Sequence, residues 1–205
     1  MRNFLAVFFL VSVILFKVGL TEKKTDDRGK NSLELINSYP IDVPEPSGLA
    51  MAADNKSLYT VSDQTGTIYH LSLSGELLDS IIVDDGLDLE GVCFDSSGQF
   101  FLIVNERKGE ILKINFDGEI ISKTKIINND NNKGLEGICR EPVSGNSFVI
   151  KEKKPGLLIE VDEKFIILNK DEIDFAKDYS GLAWHCKQKI LLIIIIRIMN
   201  PITQF

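Results

Sequence analysis

A short motif that ends in glycine followed by an aliphatic residue occurs four times along the chain. Its glycines are Gly48, Gly91, Gly137 and Gly181, which are separated by 43, 46 and 44 residues. A repeat of about 40 to 50 residues is typical either of a unit of four β-strands or of a pair of packed helices. The residues between the glycines therefore decide between an all-β and an all-α fold.

The segments between the glycines have the pattern of strands. After Gly48, short apolar runs at residues 58–61, 67–71 and 77–83 alternate with turns rich in Gly, Asp and Ser, and the second and third units follow the same plan. No window of roughly 11 to 18 residues in these units sustains a helical apolar stripe. The repeat therefore predicts an all-β fold in which four-stranded antiparallel blades stack as a β-propeller.

A second position recurs in phase with the glycines. An acidic residue follows the motif glycine by 15 positions in the first three units, as Asp63, Glu106 and Glu152, each at the end of the second predicted strand. Two phased positions in each unit are harder to obtain by chance than one. This second position strengthens the prediction of a structural repeat.

Seven motifs, taken in order, resemble those of the SdiA-regulated family of bacterial envelope proteins. The motifs are Pro46-Ser47-Gly48-Leu49-Ala50, Leu58-Tyr59-Thr60-Val61-Ser62-Asp63, Asp88-Leu89-Glu90-Gly91-Val92, Asn105-Glu106-Arg107, Gly134-Leu135-Glu136-Gly137-Ile138, Lys151-Glu152-Lys153 and Asp178-Tyr179-Ser180-Gly181-Leu182. The resemblance covers residues 39–184. It implies a five-bladed propeller that is distantly similar to NHL-repeat propellers, with a calcium site and no established activity.

The end of the chain departs from the repeat. Three units and the start of a fourth are present, so the predicted propeller is incomplete. Residues 190–196 are seven consecutive aliphatics. One choice of codons for residues 196–202 encodes Ser-Asp-Asn-Glu-Ser-Asn when it is read one nucleotide earlier. This reading restores a Ser-Asp pair close to the position where the fourth unit needs one. We therefore hypothesise that residues 187–205 are out of frame, which the nucleotide sequence would test.

The N-terminus predicts export. Arg2 is followed, at residues 4–16, by thirteen uncharged and mostly apolar residues and then by Lys17. This length suits a secretory signal better than the roughly 20 residues of a spanning helix, although an uncleaved helical anchor stays open. We predict a signal peptide or anchor at residues 1–20, a polar linker at 21–35 and the partial propeller at 36–205. The propeller would then lie outside the cytoplasm, in the cell envelope, with membrane contact through the N-terminal segment.

Charge and cysteine content narrow the classes of function. The net charge of −7 argues against nucleic acid as a partner, because binding to phosphates needs a dominant basic face. The three cysteines, Cys93, Cys139 and Cys186, form neither a disulfide framework nor a metal-ligand spacing. Cys93 and Cys139 both follow the motif glycine by two residues, which predicts small buried strand positions.

The phased carboxylates are the candidate metal ligands. Glu90 and Glu136 directly precede the motif glycine, where propellers line the mouth of the central channel, and Glu45 lies close to the counterpart in the first unit. Converging carboxylates favour a bound hard cation, calcium above all. Asp63, Glu106 and Glu152 form a second candidate ring. The alternative for both sets is structural, since acidic side chains also accept hydrogen bonds from the backbone at turns.

Two functions are compatible with these sequence features. The first is a binding module without enzymatic activity that holds calcium and presents a face to an unknown ligand or protein partner. The second is a calcium-dependent hydrolase of the lactonase or esterase kind, in which the metal acts as a Lewis acid. His70 and His185 are the only histidines, and neither lies in a recognisable catalytic arrangement, so binding is the favoured interpretation.

Overall fold

A computed structural model describes residues 9–17, 36–128, 134–152 and 155–198, with side chains from residue 36 to residue 195 within those ranges. The described residues contain fifteen strands and no helix. In chain order the strands are β1 (Phe9–Lys17), β2 (Pro46–Met51), β3 (Ser57–Ser62), β4 (Thr67–Ser72), β5 (Leu77–Ile82), β6 (Leu89–Phe94), β7 (Phe100–Asn105), β8 (Glu110–Asn115), β9 (Ile120–Lys125), β10 (Leu135–Arg140), β11 (Ser147–Lys151), β12 (Gly156–Val161), β13 (Ile167–Ile173), β14 (Gly181–His185) and β15 (Ile190–Ile198).

The strands form four sheets, which we number in chain order. Sheet 1 is β2-β3-β4-β5, sheet 2 is β6-β7-β8-β9 and sheet 3 is β10-β11-β12-β13, and all three are antiparallel meanders. Sheet 4 contains β14 and β15, with β1 paired to the far edge of β15. The all-β fold of four-stranded antiparallel sheets predicted from the repeat is therefore confirmed.

Polar side chains close the hairpins by the same device in different units. Asn115 Oδ1 accepts a hydrogen bond from the Glu119 backbone N–H at 2.8 Å, and Asp162 Oδ1 accepts one from the Ile166 N–H at 2.8 Å. These side chains take the place of a backbone acceptor inside the turn. The Asp, Asn and Gly clusters of the sequence thus mark real strand ends.

The motif glycines explain the period of the repeat. The first strand of each sheet lies innermost, and β2, β6, β10 and β14 pack side by side in that order. A β-carbon on Gly91 would lie 2.6 Å from the Cα atom of Gly137, and one on Gly137 would lie 2.8 Å from the Cα atom of Gly181. Glycine recurs because neighbouring inner strands approach too closely for any side chain.

Three apolar cores fill the spaces between consecutive sheets. We call the two sides of a sheet its preceding face and its following face. The residue directly after the motif glycine lies on the preceding face, as Val92, Ile138 and Leu182 do, and the next residue lies on the following face. Alternation along the inner strand therefore supplies both neighbouring cores.

Cys93 and Cys139 occupy following-face positions; Cys139 is buried as predicted, and Cys93 is partly buried. Burial raises the pKa of the Cys93 thiol to about 12 and that of Cys139 well above its ordinary value. All three cysteines are free. The two inner-strand thiols are packing residues with little thiolate character.

The N-terminal apolar helix is not confirmed. The backbone of Phe9–Lys17 forms β1, in antiparallel register with β15 from Phe9 opposite Ile198 to Lys17 opposite Ile190. The open edge of β15 has unpaired backbone groups, so the aliphatic segment can make its backbone hydrogen bonds by pairing there. Among the described residues there is no helix that is long and apolar enough to cross a membrane. The rest of the predicted signal, the linker at 21–35 and residues 199–205 lie outside the described residues.

Candidate metal centre

The predicted acidic residues meet at one end of the inner strands. In sheets 1 to 3 the start of the first strand lies beside the end of the second, as in the pairing of Leu89 with Asn105. A backbone hydrogen bond extends this pairing in each sheet. The donor is the N–H 15 residues after the motif glycine, and the acceptor is the carbonyl three residues before it. The distances are 3.4 Å for Asp63 to Glu45, 2.9 Å for Glu106 to Asp88 and 3.2 Å for Glu152 to Gly134.

A β-bulge at the motif directs the side chain that precedes the glycine. In sheet 3 the register shifts between Leu135 and Gly137, which leaves Glu136 as the extra residue on β10. The register of sheet 2 shifts over the corresponding residues, between Leu89 and Val92. Bulges are a common means of re-aiming a side chain next to a binding site. Here they turn Glu90 and Glu136 toward the acidic strand ends.

Two groups of three carboxylates result, and they share one member. One oxygen from each of Asp88, Glu90 and Glu106 lies within 4.8 Å of the others, and the same is true of Glu106, Glu136 and Glu152. Glu106 therefore links sheet 2 to sheet 3. The two predicted sets thus meet at Glu106. We use the name acidic cluster for these five carboxylates together with Asp63 and Glu45, which are linked to them electrostatically: Glu45, Asp63, Asp88, Glu90, Glu106, Glu136 and Glu152.

Asp63 and Glu45 lie at the sheet 1 side of the acidic cluster. The pKa of Asp63 is raised to about 6, chiefly by burial, then by a hydrogen bond with the Glu45 carboxyl and by the charges of Glu45, Asp88 and Glu106. The Oδ1 atom of Asp63 is buried and has no hydrogen-bond partner in the part of the chain that the structure describes. An unpartnered buried carboxylate oxygen is costly unless something satisfies it.

Glu90 is the most enclosed of these carboxylates, with 8% of its surface exposed. Burial raises its pKa to about 7, and the charges of Asp63, Glu106 and Asp88 act in the same direction. The Ser47 hydroxyl donates a hydrogen bond to Glu90 Oε2, which opposes the rise. Ser47 occupies in sheet 1 the position that Glu90 holds in sheet 2, so this bond joins equivalent points of neighbouring inner strands.

Glu106 is held by the backbone of the next sheet. Its Oε1 atom accepts a hydrogen bond from the Gly134 N–H at 2.9 Å. A β-carbon on Gly134 would lie 2.5 Å from the backbone oxygen of Glu106, so glycine is required there. The structural role that the sequence left open for Glu106 is thus present, and one of its carboxylate oxygens also belongs to both groups of three.

Asp88 is a member of the acidic cluster that was not predicted from the sequence. Burial and the charge of Glu106 raise its pKa, whereas Arg107 lowers it. The Arg107 side chain is 65% exposed and its Nε atom lies 3.7 Å from Asp88 Oδ2, so it offsets the negative charge only weakly. Asp88 precedes Gly91 by three positions, just as Glu45 precedes Gly48, and this shared offset was the available signal.

The donor set suits a hard divalent cation. All ligand atoms in the two groups of three are carboxylate oxygens, which Ca²⁺ prefers in flexible sites of six to eight oxygens. Raised pKa values at Asp63, Asp88 and Glu90 arise because the negative charges are crowded and partly removed from water. The residues present therefore fit the calcium site implied by the resemblance, and metal binding itself stays a prediction.

A cavity of about 470 Å³ begins at Glu152, on the sheet 3 side of the acidic cluster. Tyr179 and Ile173 give it an apolar wall, and Glu172 and Asp174 add acidic groups. Neither histidine contributes to it: His70 stacks on Tyr59 at 4.3 Å within sheet 1, and His185 accepts the Gln188 N–H in the β14–β15 turn. Ligand binding beside the acidic cluster is geometrically feasible, whereas a histidine-based catalytic group is not indicated.

Comparison with known proteins supports the propeller arrangement. Virginiamycin B lyase from Staphylococcus aureus matches with a TM-score of 0.54 and 16% identity, over 76% of this chain and 54% of that chain. A putative 6-phosphogluconolactonase from Bacteroides uniformis matches with a TM-score of 0.56 and 14% identity, over 78% and 52%. The nidogen/laminin complex gives a TM-score of 0.55 and 18% identity, over 75% and 60%.

These similarities are low in identity and concern the fold alone. The chain spans about half the length of the solved structures it resembles. Family assignment comes from the sequence, since the SdiA-regulated family matches residues 37–195, which include all four glycine motifs and every carboxylate of the acidic cluster. The resemblance noted from the seven motifs is confirmed, and the chain belongs to the SdiA-regulated family.

Proposed function

We propose that the protein is an envelope-associated β-propeller module that binds a divalent cation, calcium above all, through the acidic cluster. The observation that carries this proposal is Glu106, which belongs to both groups of three carboxylates. Burial and the neighbouring negative charges raise the pKa values of Asp63 and Glu90, and a cation there would offset both effects. Bound metal would also hold sheets 2 and 3 together at their inner ends.

Calorimetric titration with Ca²⁺ tests the proposal. We expect saturable binding to the full chain and its loss in Glu106→Gln, which keeps the side-chain size and an acceptor for the Gly134 N–H. The matched control is Glu76→Gln, an exposed carboxylate in the β4–β5 turn that should leave binding unchanged. Equal binding by both variants would contradict the proposal.

The ligand or protein partner would bind at the cavity beside Glu152. Its apolar wall of Tyr179 and Ile173 together with the carboxylates of Glu172 and Asp174 suits a compact ligand with an apolar body and a cationic or hydroxylated edge. Nucleic acid is not an expected partner, since the net charge is −7.

Envelope location rests on the apolar segment at residues 4–16, flanked by Arg2 and Lys17. Membrane fractionation and protease treatment of intact cells would test it. We expect the propeller to sediment with membranes, or to appear in the exported fraction if the signal is cleaved, and to be degraded only where the outside of the plasma membrane is accessible. Retention in the cytoplasmic fraction would contradict this part of the proposal.

A calcium-dependent hydrolase is the second candidate, favoured by the cavity that adjoins the acidic cluster at Glu152. A metal in the cluster would supply Lewis-acid chemistry toward a carbonyl oxygen. Putative lactonases are among the structures of similar fold, although each is much longer than this chain. Turnover of a lactone and ester panel, abolished by chelation and by Glu136→Gln, would replace the binding proposal, and absence of turnover with intact calcium binding would retain it.

A further inference from the structure

Two positions of the repeat pair across the first two strands of every sheet, at the end opposite the acidic cluster. They lie three and ten residues after the motif glycine, near the end of the first strand and the start of the second. In sheet 3 the pair is Arg140 with Ser147. In the other three sheets it is apolar: Met51 with Leu58, Phe94 with Phe101, and Trp184 with Leu191. Sheet 3 thus departs from the apolar pattern of the repeat.

Arg140 and Ser147 both face sheet 2. Ile138 and Val149 belong to the core between sheets 2 and 3. Alternation along β10 and β11 places Arg140 and Ser147 on the same side of sheet 3 as these two residues. The Arg140 side chain is 14% exposed and Ser147 is 2% exposed. A cation and a hydroxyl therefore lie at the edge of an apolar core, where burying them is costly unless partners satisfy them.

The protein groups around this pair leave its donors free. Glu163 is the ion-pair partner of Arg140, with Oε1 at 3.5 Å from Arg140 Nη2, but its side chain is 64% exposed, so the attraction is weak. A guanidinium carries five N–H donors. Among the described residues, neither the Arg140 guanidinium nor the Ser147 hydroxyl makes a hydrogen bond. Two polar groups that are almost fully buried thus have donors available for a ligand.

The second cation that faces this space is already paired. Lys113 Nζ donates a hydrogen bond to Asp95 Oδ2 at 3.0 Å and lies 4.2 Å from the centre of the Phe100 ring. The Ser97 hydroxyl donates to Asp95 Oδ1 at 2.8 Å. Burial alone would raise the pKa of Asp95, but the hydrogen bonds from Ser97 and Lys113 outweigh it and lower the pKa. Lys113 and Asp95 therefore form a closed ion pair, and Arg140 is the cation left for a ligand.

A small cavity of about 40 Å³ lies where these groups meet. Its walls include Asp95, Leu102, Lys113, Arg140, Ser147 and Phe165. Because roughly 10 to 15 Å³ suffices for one water, the cavity has space for about three atoms of that size. A carboxylate group fits this space with its three heavy atoms, whereas a phosphate, with five, is too large. A single negative charge also balances the one cation that lacks a close partner.

We propose that this cavity binds the carboxylate group of a ligand through Arg140 and Ser147. The planar guanidinium presents parallel N–H groups that match the two oxygens of a carboxylate, and the Ser147 hydroxyl donates a further hydrogen bond. Glu163 is exposed and can turn into solvent when the ligand takes its place. Along β10, Arg140 lies four residues, or about 13 Å, beyond Glu136 of the acidic cluster, so this site is separate from the candidate metal centre.

Nuclear magnetic resonance of the full chain in detergent tests the site. The Nε–H signal of Arg140, assigned by its loss in Arg140→Lys, should shift saturably when sodium acetate is added at constant ionic strength. The dissociation constant for acetate should rise at least about ten-fold in Ser147→Ala, because a hydrogen bond to a charged group is lost. Lys123→Gln is the matched control, since it removes an exposed charge from β9 and should leave acetate binding unchanged.

Two further measurements separate ligand binding from a packing role. Arg140→Met restores the residue type that Met51 supplies in sheet 1, and it should abolish acetate binding with no loss of thermal stability. Tighter binding of N-acetyl-alanyl-alanine than of acetate would identify a peptide terminus as the ligand, and weaker binding would identify a small acid. No saturable shift, a shift that chloride reproduces at the same concentration, or acetate binding that survives both Arg140→Met and Ser147→Ala would overturn the proposal.

Discussion

The middle sheets and the end sheets carry the same repeat in different surroundings. Ile138 of sheet 3 is 2% exposed and Leu49 of sheet 1 is 63% exposed, although each directly follows a motif glycine. The acidic cluster shows the same contrast. Glu106 of sheet 2 accepts a hydrogen bond from Gly134 at the start of sheet 3, whereas no described sheet follows sheet 4. A repeat therefore specifies a unit, and its neighbours determine whether each position is core or surface.

The largest effect should come from filling the space between two middle inner strands. Gly91→Ala would place a β-carbon 2.6 Å from the Cα atom of Gly137, a backbone contact that no rotamer can relieve. We expect a loss of about 3 kcal/mol or more in the free energy of unfolding, measured by chemical denaturation. Gly86→Ala is the control, since its nearest contact would be an Asp84 side-chain oxygen at 3.5 Å. Similar stability of the two variants would contradict the close approach of the inner strands.

A pair of alanine substitutions directly tests the contrast between the middle sheets and the end sheets. Ile138→Ala should cost about 2 to 5 kcal/mol of unfolding free energy, because it leaves a cavity between sheets 2 and 3. Leu49→Ala should cost less than about 0.5 kcal/mol at a concentration where the chain is monomeric. Equal losses in denaturant titrations would show that the first sheet is covered within one chain.

The acidic cluster should make the metal-free protein less stable as the pH rises. Glu90 has a folded-state pKa of about 7 against an ordinary value of 4.5, so between these values the folded state binds more protons than the unfolded state. The corresponding stability is present below the ordinary pKa and is lost as the pH rises through about 7. Denaturation in chelator at several pH values should show this decline, and Glu90→Gln should flatten it. A rise in stability over the same interval would contradict the burial of the cluster.

The smallest effect should come from the bond between sheets 1 and 2 at Ser47. Because the Ser47 hydroxyl stabilises the ionised form of Glu90, Ser47→Ala should raise the pKa of Glu90 further. Titration of the Glu90 side-chain signal by nuclear magnetic resonance would measure the shift. Ser74→Ala, in the exposed β4–β5 turn, is the control and should leave the Glu90 pKa unchanged.

The strands and the phased positions were predictable, but their convergence was not. Gly48, Gly91 and Gly137 mark the inner strands because the neighbouring backbone lies too close for any residue with a side chain. The merging of two expected rings depends on the bulge at Glu136 and on backbone bonds such as that from Glu106 to Asp88, which spacing alone does not encode. Asp88 was missed because only the second unit carries a carboxylate both one and three positions before the glycine.

The pairing of residues 9–17 with β15 was likewise not accessible from local sequence. An apolar run flanked by charges predicts a signal or anchor helix, and its pairing with β15 is a contact across most of the chain. Aliphatic segments of this length satisfy helix and strand patterns alike, so only the available partner decides between them. The hypothesis that residues 187–205 are out of frame stays a prediction about the gene.

A crystal structure of the protein grown with a lanthanide in place of calcium would test the acidic cluster most directly. Anomalous scattering would locate the ion independently of any assumption about its ligands. We predict a peak within about 2.3 to 2.6 Å of a Glu106 carboxylate oxygen, with further oxygens from Glu90 or Glu136. Full occupancy at another place, or a Glu106 bound only by the Gly134 N–H at saturating lanthanide, would contradict the proposed site.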